Sequence, residues 1–537
     1  MQPSRRSLTT ALLLLAGCSG FVEPKNGGLE SDPDNVRAVE GKDAGRRDAR
    51  DDDDIDPVNE VPTVRADGGG EPDEPRGCVE TEDFPLAQGL QIREVALYQT
   101  VKIPLFEGGA WVNDRVAPVV QNKKALLRVF VDPQSGYQPH DVRAVLKLVN
   151  GGDADELIDE RTISAASTDA SLASTFSFQI DPGSLGNDAQ LSVTLVETNC
   201  GAVSGAPTDT RVPSAGGTQA LQAAPINKLK VVVLPISVGG RVPVTTETEL
   251  ANIRSALLAY YPVPDVDLSV RTPLVWSETV DPLDGNSWSD LLNAVMRERR
   301  TDAPASNVYY LGLVQPAATF RTYCQRGCVL GLAPQTSAVQ ASAQVALGAS
   351  FADAQTYETV VHELGHAHGR GHAPCVEAGE IDGVDPNYPD KTGSTVSWGW
   401  DSRSNTLLPP TNKDIMGYCE PNWIGAYNYS GLAARSQSVN LKALRVGSGL
   451  SWQNVVLYDD GKARWGGDLL REDPAGEYES AQVLDASGRV IDTVEVVRLG
   501  LSHAGAQFVY LPQPGAQWSA VKLTDRLLEL SAVLPPL

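Results

Sequence analysis

Basic residues are scarce in this sequence relative to acidic ones. Among its 537 residues, 44 are Lys or Arg and 68 are Asp or Glu, which gives a formal net charge of −24 at pH 7. Proteins bind nucleic acid phosphates and anionic lipid headgroups through clustered Lys and Arg side chains. The charge balance therefore argues against nucleic acid as a partner and against docking on a membrane through a basic patch.

Long apolar runs are also lacking, apart from one at the N-terminus. Residues 8–16 are too short to span a bilayer as a helix, but after Arg5 and Arg6 they are typical of a secretory signal. The run ends in Leu-Ala-Gly-Cys, which resembles the lipobox of bacterial lipoproteins. The resemblance implies that residues 1–17 are a signal peptide and that Cys18 carries the lipid anchor, in the outer membrane or on the cell surface. An ordinary secretory signal with an incidental cysteine is the alternative.

Charged residues make up only 21% of the chain, whereas Gly (49) and Pro (36) are plentiful, which favours β-rich domains over a helical bundle. Residues 18–77 are polar and include four consecutive Asp at 51–54, so we predict a lipid anchor followed by an acidic, disordered tether. A calcium site in the Asp run is the alternative.

Three folded units are expected after the tether. Residues 78–215 and 437–537 contain short, alternating, β-branched runs, and each predicts a β-sandwich. Residues 225–436 mix strand and helix patterns. The predicted fold class is a multidomain α+β protein in which two β-sandwich domains flank a domain with a mixed sheet and an active-site helix.

Histidine is rare, yet four of the six histidines fall between residues 362 and 372. His362 and His366 are four residues apart, so their imidazoles share one helix face and can bind one zinc ion. Glu363 can reach a water at that zinc as general base. Gly369 can take a left-handed conformation and end the helix, so that His372 returns as the third ligand. Three protein ligands leave a fourth position open, as in catalytic zinc sites.

The extended motif resembles that of the metzincin metallopeptidases. In that family a methionine lies in a tight turn beneath the zinc, and Met416 matches it. Tyr418 resembles a tyrosine that lies near the metal in the astacin and serralysin branches, which implies a hydrogen bond to the reaction's oxyanion. An ordinary packed tyrosine is the alternative. His368 lies off the ligand spacing, and we expect it to be exposed or behind the ligands.

Within the metzincins, residues 355–430 are most similar to bacterial secreted proteases of the dictomallein and mucin-cleaving type. The similarity rests on the histidine motif, on Ser-Trp-Gly-Trp-Asp at 397–401 and on the Met-turn region through Trp423. It implies an extracellular endopeptidase, and some members prefer O-glycosylated proteins. Trp398, Trp400 and Trp423 either line a substrate site or are buried core residues.

Six cysteines remain besides Cys18, and an even number in an exported protein suggests disulfides. Proximity in a metzincin-like fold suggests three pairs, namely Cys375–Cys419, Cys324–Cys328 and Cys78–Cys200. A zinc–thiolate site is the alternative. The segment 75–78, Pro-Arg-Gly-Cys, faintly resembles the cysteine switch of matrix metalloproteases, although its Gly and Cys are in the reverse order.

These features together predict a zinc-dependent endopeptidase, anchored to the cell envelope, that hydrolyses extracellular proteins or glycoproteins. Two other classes remain, a catalytically silent adhesin or glycan- or protein-binding lipoprotein, and a zinc hydrolase of non-protein amides. We expect residues 341–348 to form an edge strand on which the substrate backbone pairs. Asp382, Asp385 and Asp390 form either a structural calcium site or a solvated loop.

Overall fold

A computed structural model of the protein describes residues 84–199, 209–336, 340, 343–376, 382–441 and 450–537, apart from the side chains of residues 440, 441 and 468. The predictions on the signal peptide, Cys18, the tether and the Cys78–Cys200 pair lie outside these residues. The described residues all belong to one compact unit. Among them, no helix is both long enough and apolar enough to cross a membrane.

The N-terminal part of this unit consists of antiparallel strands, as the alternating pattern indicates. In the first strand Leu90, Ile92 and Leu97 are buried, so one face of the strand lies on a core. The strands are β1 (Leu90–Gln99), β2 (Val101–Glu107), β3 (Ala110–Trp111), β4 (Ala125–Pro133), β5 (His140–Asn150), β6 (Asp153–Ile163), β7 (Phe176–Ile180), β8 (Gln190–Glu197), β9 (Arg211–Val212) and β10 (Gln219–Ala220).

These strands form two sheets. One has the order β2-β1-β4-β7 with β3 beside β2, and the other has the order β10-β8-β5-β6 with β9 beside β8. Two short strands from much later in the chain, β18 (Gly399–Asp401) and β19 (Thr406–Leu408), extend the first sheet beyond β2. The sequence patterns at 397–401 therefore belong structurally to the N-terminal sheet.

The tryptophans of this region are packing residues. Trp400 is 1% exposed and packs in a small cluster with Tyr98 and Phe130, and Trp398 is half-buried against the same cluster. Trp423 is 2% exposed, and its indole N–H donates to the backbone oxygen of Thr100 at 3.0 Å. Of the two alternatives, Trp400 and Trp423 fit the buried core.

A mixed sheet forms the centre of the unit, and its strands are mostly continuous apolar runs, as expected for strands covered on both faces. The order of this sheet is β12-β11-β14-β17-β15, with β13 beside β11, and all pairs are parallel except the antiparallel pair of β15 with β17.

The helices and strands between residues 229 and 441, other than β18 and β19, include both the strands of this sheet and the elements around it. They are β11 (Leu229–Val238), α1 (Glu247–Tyr260), β12 (Val266–Val270), β13 (Leu274–Trp276), α2 (Gly285–Asp302), β14 (Val308–Val314), α3 (Phe320–Tyr323), β15 (Gly331–Leu332), β16 (Pro334–Gln335), β17 (Val345–Ala349), α4 (Ala354–Ala367), β20 (Lys413–Asp414), β21 (Asn422–Trp423) and α5 (Ala426–Leu441).

The prediction of an edge strand at residues 341–348 is wrong. β17 is fully buried and is not an edge strand, because β15 pairs with it through Gly331–Gly348 and Leu332–Leu347. α4 begins at Ala354, since the side chain of Asp353 is the N-cap and accepts from the backbone N–H of Thr356.

The C-terminal strands, for which we predicted a second sandwich, lie in one sheet. They are β22 (Trp452–Leu457), β23 (Ala463–Leu470), β24 (Glu477–Leu484), β25 (Val490–Leu501), β26 (Gln507–Pro512), β27 (Ala520–Lys522) and β28 (Leu527–Glu529).

The order of this sheet is β23-β22-β26-β25-β24-β27-β28, with β16 beside β25. One face packs on α2, where Trp288 and Phe508 share a cluster, and the other encloses a separate cluster that includes Val455 and Val509. A sheet buried on both faces gives the same apolar pattern as a sandwich, which explains the difference from the prediction. α5 also runs past residue 437, where we expected this region to begin, and Val439 is buried on it.

Lys123 is a buried cation that makes stability depend on pH. It is 6% exposed, its ammonium donates to the backbone oxygen of Leu258 at 2.6 Å, and burial lowers its pKa from 10.5 to about 7. Between these two pKa values the unfolded chain binds more protons than the folded one. The free energy of unfolding should therefore rise with pH from 7 towards 10.5, by up to about 1.4 kcal/mol per pH unit from this group.

Urea unfolding of Lys123→Met at pH 7, 8 and 9 tests this expectation. The variant should lose that part of the pH slope, whereas Lys124→Met, which changes the exposed neighbour, should keep it. Equal slopes for the two variants would contradict a buried, depressed Lys123.

Candidate metal site

The helix α4 places His362, Glu363 and His366 at the centre of the fold. It packs on β17 and α1, and from Thr359 to Ala367 each of its residues is buried. His362 and His366 lie one turn apart on one face, with their Nε2 atoms 3.0 Å apart.

A tight turn after α4 brings back the third histidine. Gly369 has φ +82°, a left-handed conformation that residues with a Cβ rarely adopt. The backbone N–H of Arg370 then donates to the oxygen of Gly365. As a result His372 reaches the site, with its Nε2 3.0 Å from that of His366.

The contacts of the three Nδ1 atoms show which nitrogen of each histidine ring carries the proton. Nδ1 of His362 contacts the backbone oxygen of Ile415 at 2.7 Å, Nδ1 of His366 that of Arg370 at 2.7 Å, and Nδ1 of His372 that of Asp382 at 2.6 Å. A carbonyl oxygen can only accept, so each Nδ1 carries a proton. Burial lowers the pKa of His362 and of His372 to about 3, and that of His366 well below its usual value, so the rings are neutral at pH 7.

The three Nε2 atoms therefore point lone pairs at one another in a buried space. No hydrogen lies between them, so the 3.0 Å separations are not hydrogen bonds. Unpaired lone pairs in such a space are costly unless a cation lies among them. The residues thus fit a metal ion held by His362, His366 and His372, with backbone carbonyls orienting each ring.

Glu363 lies beside this cluster and is 2% exposed. Burial raises its pKa to about 8. Its Oε2 accepts from the hydroxyl of Ser502 at 3.2 Å. A Cβ on Gly331 would lie 2.4 Å from the carboxylate and Cγ of Glu363, so only glycine leaves room for this side chain.

The methionine turn lies under the histidines. Met416 is 1% exposed, and a Cβ on Gly365 would come within 2.4 Å of its sulfur, so the thioether packs closely on α4. The carboxylate of Asp414 accepts from the backbone N–H of Met416 and so fixes the turn. The adjacent Ile415 supplies the carbonyl that orients His362.

Tyr418 lies beside the histidine cluster. Its hydroxyl is 3.2 Å from Nε2 of His372, and it also forms a short contact with Nδ1 of His503. A hydroxyl at this position can donate to negative charge that develops near the metal.

His503 is a site residue that sequence analysis missed. One ring nitrogen from each of His362, His366, His372 and His503 lies within 4.8 Å of the others. His503 follows β25 in the C-terminal sheet and is 131 residues from His372, so no motif spacing connects them. The one available signal was that histidine is rare, with six in the chain.

His368 is buried rather than exposed, and it is outside the group of possible metal ligands. Its ring stacks on Tyr309 with centroids 4.2 Å apart, and its Nδ1 contacts the backbone oxygen of Leu364. It therefore packs in the core against Tyr309, so the expectation of an exposed residue is wrong.

The three aspartates considered for calcium have other partners. Asp385 accepts from the hydroxyl of Tyr427 at 2.8 Å, and Asp390 accepts from the backbone N–H of Thr392. The backbone oxygen of Asp382, rather than its carboxylate, contacts Nδ1 of His372 at 2.6 Å. In the part of the chain that the structure describes, the four histidines are the one group of possible metal ligands, so these aspartates form no such group.

Part of the chain is similar to a known peptidase family. Residues 336–423 match the family model of peptidase M66. That stretch contains the three histidines of the motif, Glu363, Met416 and Tyr418, and the match supports a zinc-dependent metallopeptidase.

Two further comparisons are less informative. No curated protein matches the chain. Among solved structures it is similar to metalloproteinase-II from Bacteroides fragilis, with 12% identity over 63% of this chain and 87% of that chain, and a TM-score of 0.22. A TM-score this low carries no argument.

Two of the expected disulfides are present, Cys324–Cys328 and Cys375–Cys419. The second joins the segment after His372 to the segment after Met416, across a separation of 44 residues, whereas the first spans 4. Longer closed loops lose more unfolded-state entropy, so the second disulfide should stabilise the fold by roughly 4 kcal/mol and the first by roughly 2 kcal/mol.

Replacing both cysteines of each pair by Ala tests this difference. Denaturant unfolding should show the larger loss for the Cys375 and Cys419 variant, with the Cys324 and Cys328 variant as the matched control. A larger loss in the control would contradict the expectation.

Proposed function

We propose that the protein is a metzincin-like zinc endopeptidase. The observation that carries this proposal is the convergence of three buried Nε2 lone pairs, each fixed by a backbone carbonyl, beside a buried carboxyl group. The match of residues 336–423 to peptidase M66 supports it. A zinc ion held by His362, His366 and His372 would supply a Lewis acid that polarises a peptide carbonyl and acidifies water.

The chain's own residues provide the proton transfers. Glu363, whose carboxylate form a nearby zinc ion would favour against the effect of burial, takes a proton from the attacking water and gives it to the leaving amine. Tyr418 donates its hydroxyl hydrogen to the oxyanion that forms from the peptide carbonyl. Glu363 is buried and Tyr418 is half-buried, so bulk water is largely kept away from the carboxylate, which strengthens its interactions.

The location and substrate belong to the same proposal. The lipobox-like sequence ending at Cys18 supports an exported bacterial lipoprotein in the outer membrane or on the cell surface, tethered by acidic residues 18–77. The similarity to dictomallein and mucin-cleaving proteases supports extracellular proteins as substrates, O-glycosylated ones included.

Metal removal and restoration test the function. The purified full chain should contain one zinc ion, cleave casein or a mucin-type glycoprotein, stop when a chelator removes the metal, and resume when zinc returns. Comparison of the two substrates reports the preference for glycosylated protein. Cleavage that continues after complete metal removal would contradict a zinc peptidase and point to a contaminating protease.

A further inference from the structure

A loop of the C-terminal sheet lies over the metal site. Residues 502–506 connect β25 to β26, and they are held against the segment that follows β15. The backbone N–H of Ser502 donates to the oxygen of Ala333 at 2.9 Å, and the N–H of Ala333 donates to the hydroxyl of Ser502 at 2.9 Å. β16 then pairs with the end of β25 through Pro334–Leu501.

His503 is the next residue of this loop, and its two ring nitrogens have surroundings similar to those of the three motif histidines. Its Nδ1 contacts an oxygen, the hydroxyl of Tyr418. Its Nε2 is buried and has no hydrogen-bond partner, although it lies 3.0 Å from Oε1 of Glu363. In His362, His366 and His372 as well, Nδ1 is bonded to oxygen and Nε2 is left for a metal.

The backbone of His503 is strained in a way that fits a functional role. Its φ is +55°, a left-handed conformation that is uncommon for residues other than glycine. Such conformations persist when surrounding contacts hold them, and they cluster at functional sites. Here the contacts of Ser502 with Ala333 and Glu363 hold the loop immediately before His503.

A fourth nitrogen changes what the site can do. Three protein ligands leave a position for water or substrate, whereas four close the coordination shell of a tetrahedral ion, as in structural zinc sites. Glu363 is also crowded in this conformation, since the hydroxyl of Ser502 donates to one of its oxygens and the ring of His503 lies 3.0 Å from the other. Both the metal position and the general base are then less accessible to a peptide.

We propose that His503 is a fourth metal ligand, and that the conformation described is a closed, latent form of the site. The ligand assignment is independent of activity, while the latency rests on the proposed peptidase function. The same loop also occupies backbone that a substrate would need. Residues 333–335 follow β15, the edge strand of the central sheet, and they are already paired with β25 and Ser502. A peptide therefore cannot add as a strand there until the loop moves.

Azide binding to the cobalt(II)-substituted full chain tests the ligand assignment. Cobalt(II) reports ligand exchange through its visible absorption, and azide is a small ligand that needs an open position. The His503→Asn variant removes the imidazole, and Asn tolerates a left-handed backbone well. We expect azide to bind this variant at least about tenfold more tightly than the wild type, which equals about 1.4 kcal/mol.

The matched control is His140→Asn. His140 is on β5, outside the site, where its Nε2 lies 2.9 Å from Oε2 of Glu197, so this variant should bind azide like the wild type. His503→Gly serves as a second test of the same position if the Asn variant unfolds at a lower temperature. Equal azide affinity in the wild type and both His503 variants would overturn the fourth ligand.

Peptide hydrolysis by the zinc-loaded proteins tests latency. We expect kcat/KM of His503→Asn to exceed that of the wild type by about tenfold or more, because the open position is restored. A fall in kcat instead would overturn latency and make His503 a positioning residue for Glu363. If His503→Asn binds azide more tightly than the wild type, as expected, but neither of these two proteins cleaves any substrate, the ligand assignment stands and the proposed peptidase function fails.

Discussion

Glu363→Gln should lower peptide hydrolysis by about 10²- to 10⁴-fold while leaving the metal in place. Glutamine has nearly the same shape as glutamate, but it cannot take a proton from water. The side chain packs against Gly331, where a Cβ would lie 2.4 Å from it, so a side chain of the same shape is needed at position 363. Zinc content and thermal unfolding should stay close to wild type, because the three histidines and their carbonyl partners are unchanged.

Glu358→Gln is the matched control for this loss. Glu358 is on the same helix, and burial also raises its pKa, to about 7, but it is outside the group of possible metal ligands. Both variants should be measured in the wild type and in the His503→Asn background, so that latency does not hide the difference. Retained hydrolysis by Glu363→Gln in the His503→Asn background would remove Glu363 as the general base.

Asp414→Ala should destabilise the fold by about 3–5 kcal/mol, since it leaves several buried donors without an acceptor. The carboxylate of Asp414 is 0% exposed and accepts from four donors. These are the backbone N–H groups of Met416 and Gly425, the side-chain amide of Asn428 and the hydroxyl of Tyr388.

The same substitution should weaken metal binding by about 10- to 100-fold, because the turn also carries the carbonyl that orients His362. Urea unfolding and zinc titration measure the two effects. Asp390→Ala is the matched control, since Asp390 also accepts from backbone N–H groups but lies on a partly exposed loop where water replaces it. A loss for Asp414→Ala no larger than that of the control would contradict this account of the turn.

The local parts of the site were predictable because their geometry is set within a few residues. The four-residue spacing of His362 and His366 follows from the helix repeat, and Gly369 marks where the chain can reverse. His503 reaches the same place through the β25–β26 connection. That contact depends on how the C-terminal sheet packs against α2 and pairs with β16, which no local pattern encodes.

The errors in the fold have a similar origin. β15 contains only two residues, too few for a periodic pattern, yet it turns β17 from an edge strand into an interior one. The C-terminal strands alternate apolar residues for two different cores, one on α2 and one of their own. Periodicity reports that a residue is buried, but it does not report what covers it.

The carbonyls that orient the three histidines belong to the backbone of Arg370, Asp382 and Ile415. Substitutions that keep the chain path at these three positions therefore leave the orientation of the rings unchanged. Mutational tolerance around the metal should be uneven as a result. Saturation mutagenesis should find Asp382, whose side chain is exposed, nearly free to vary, while Gly331, Gly365 and Gly369 accept no larger residue.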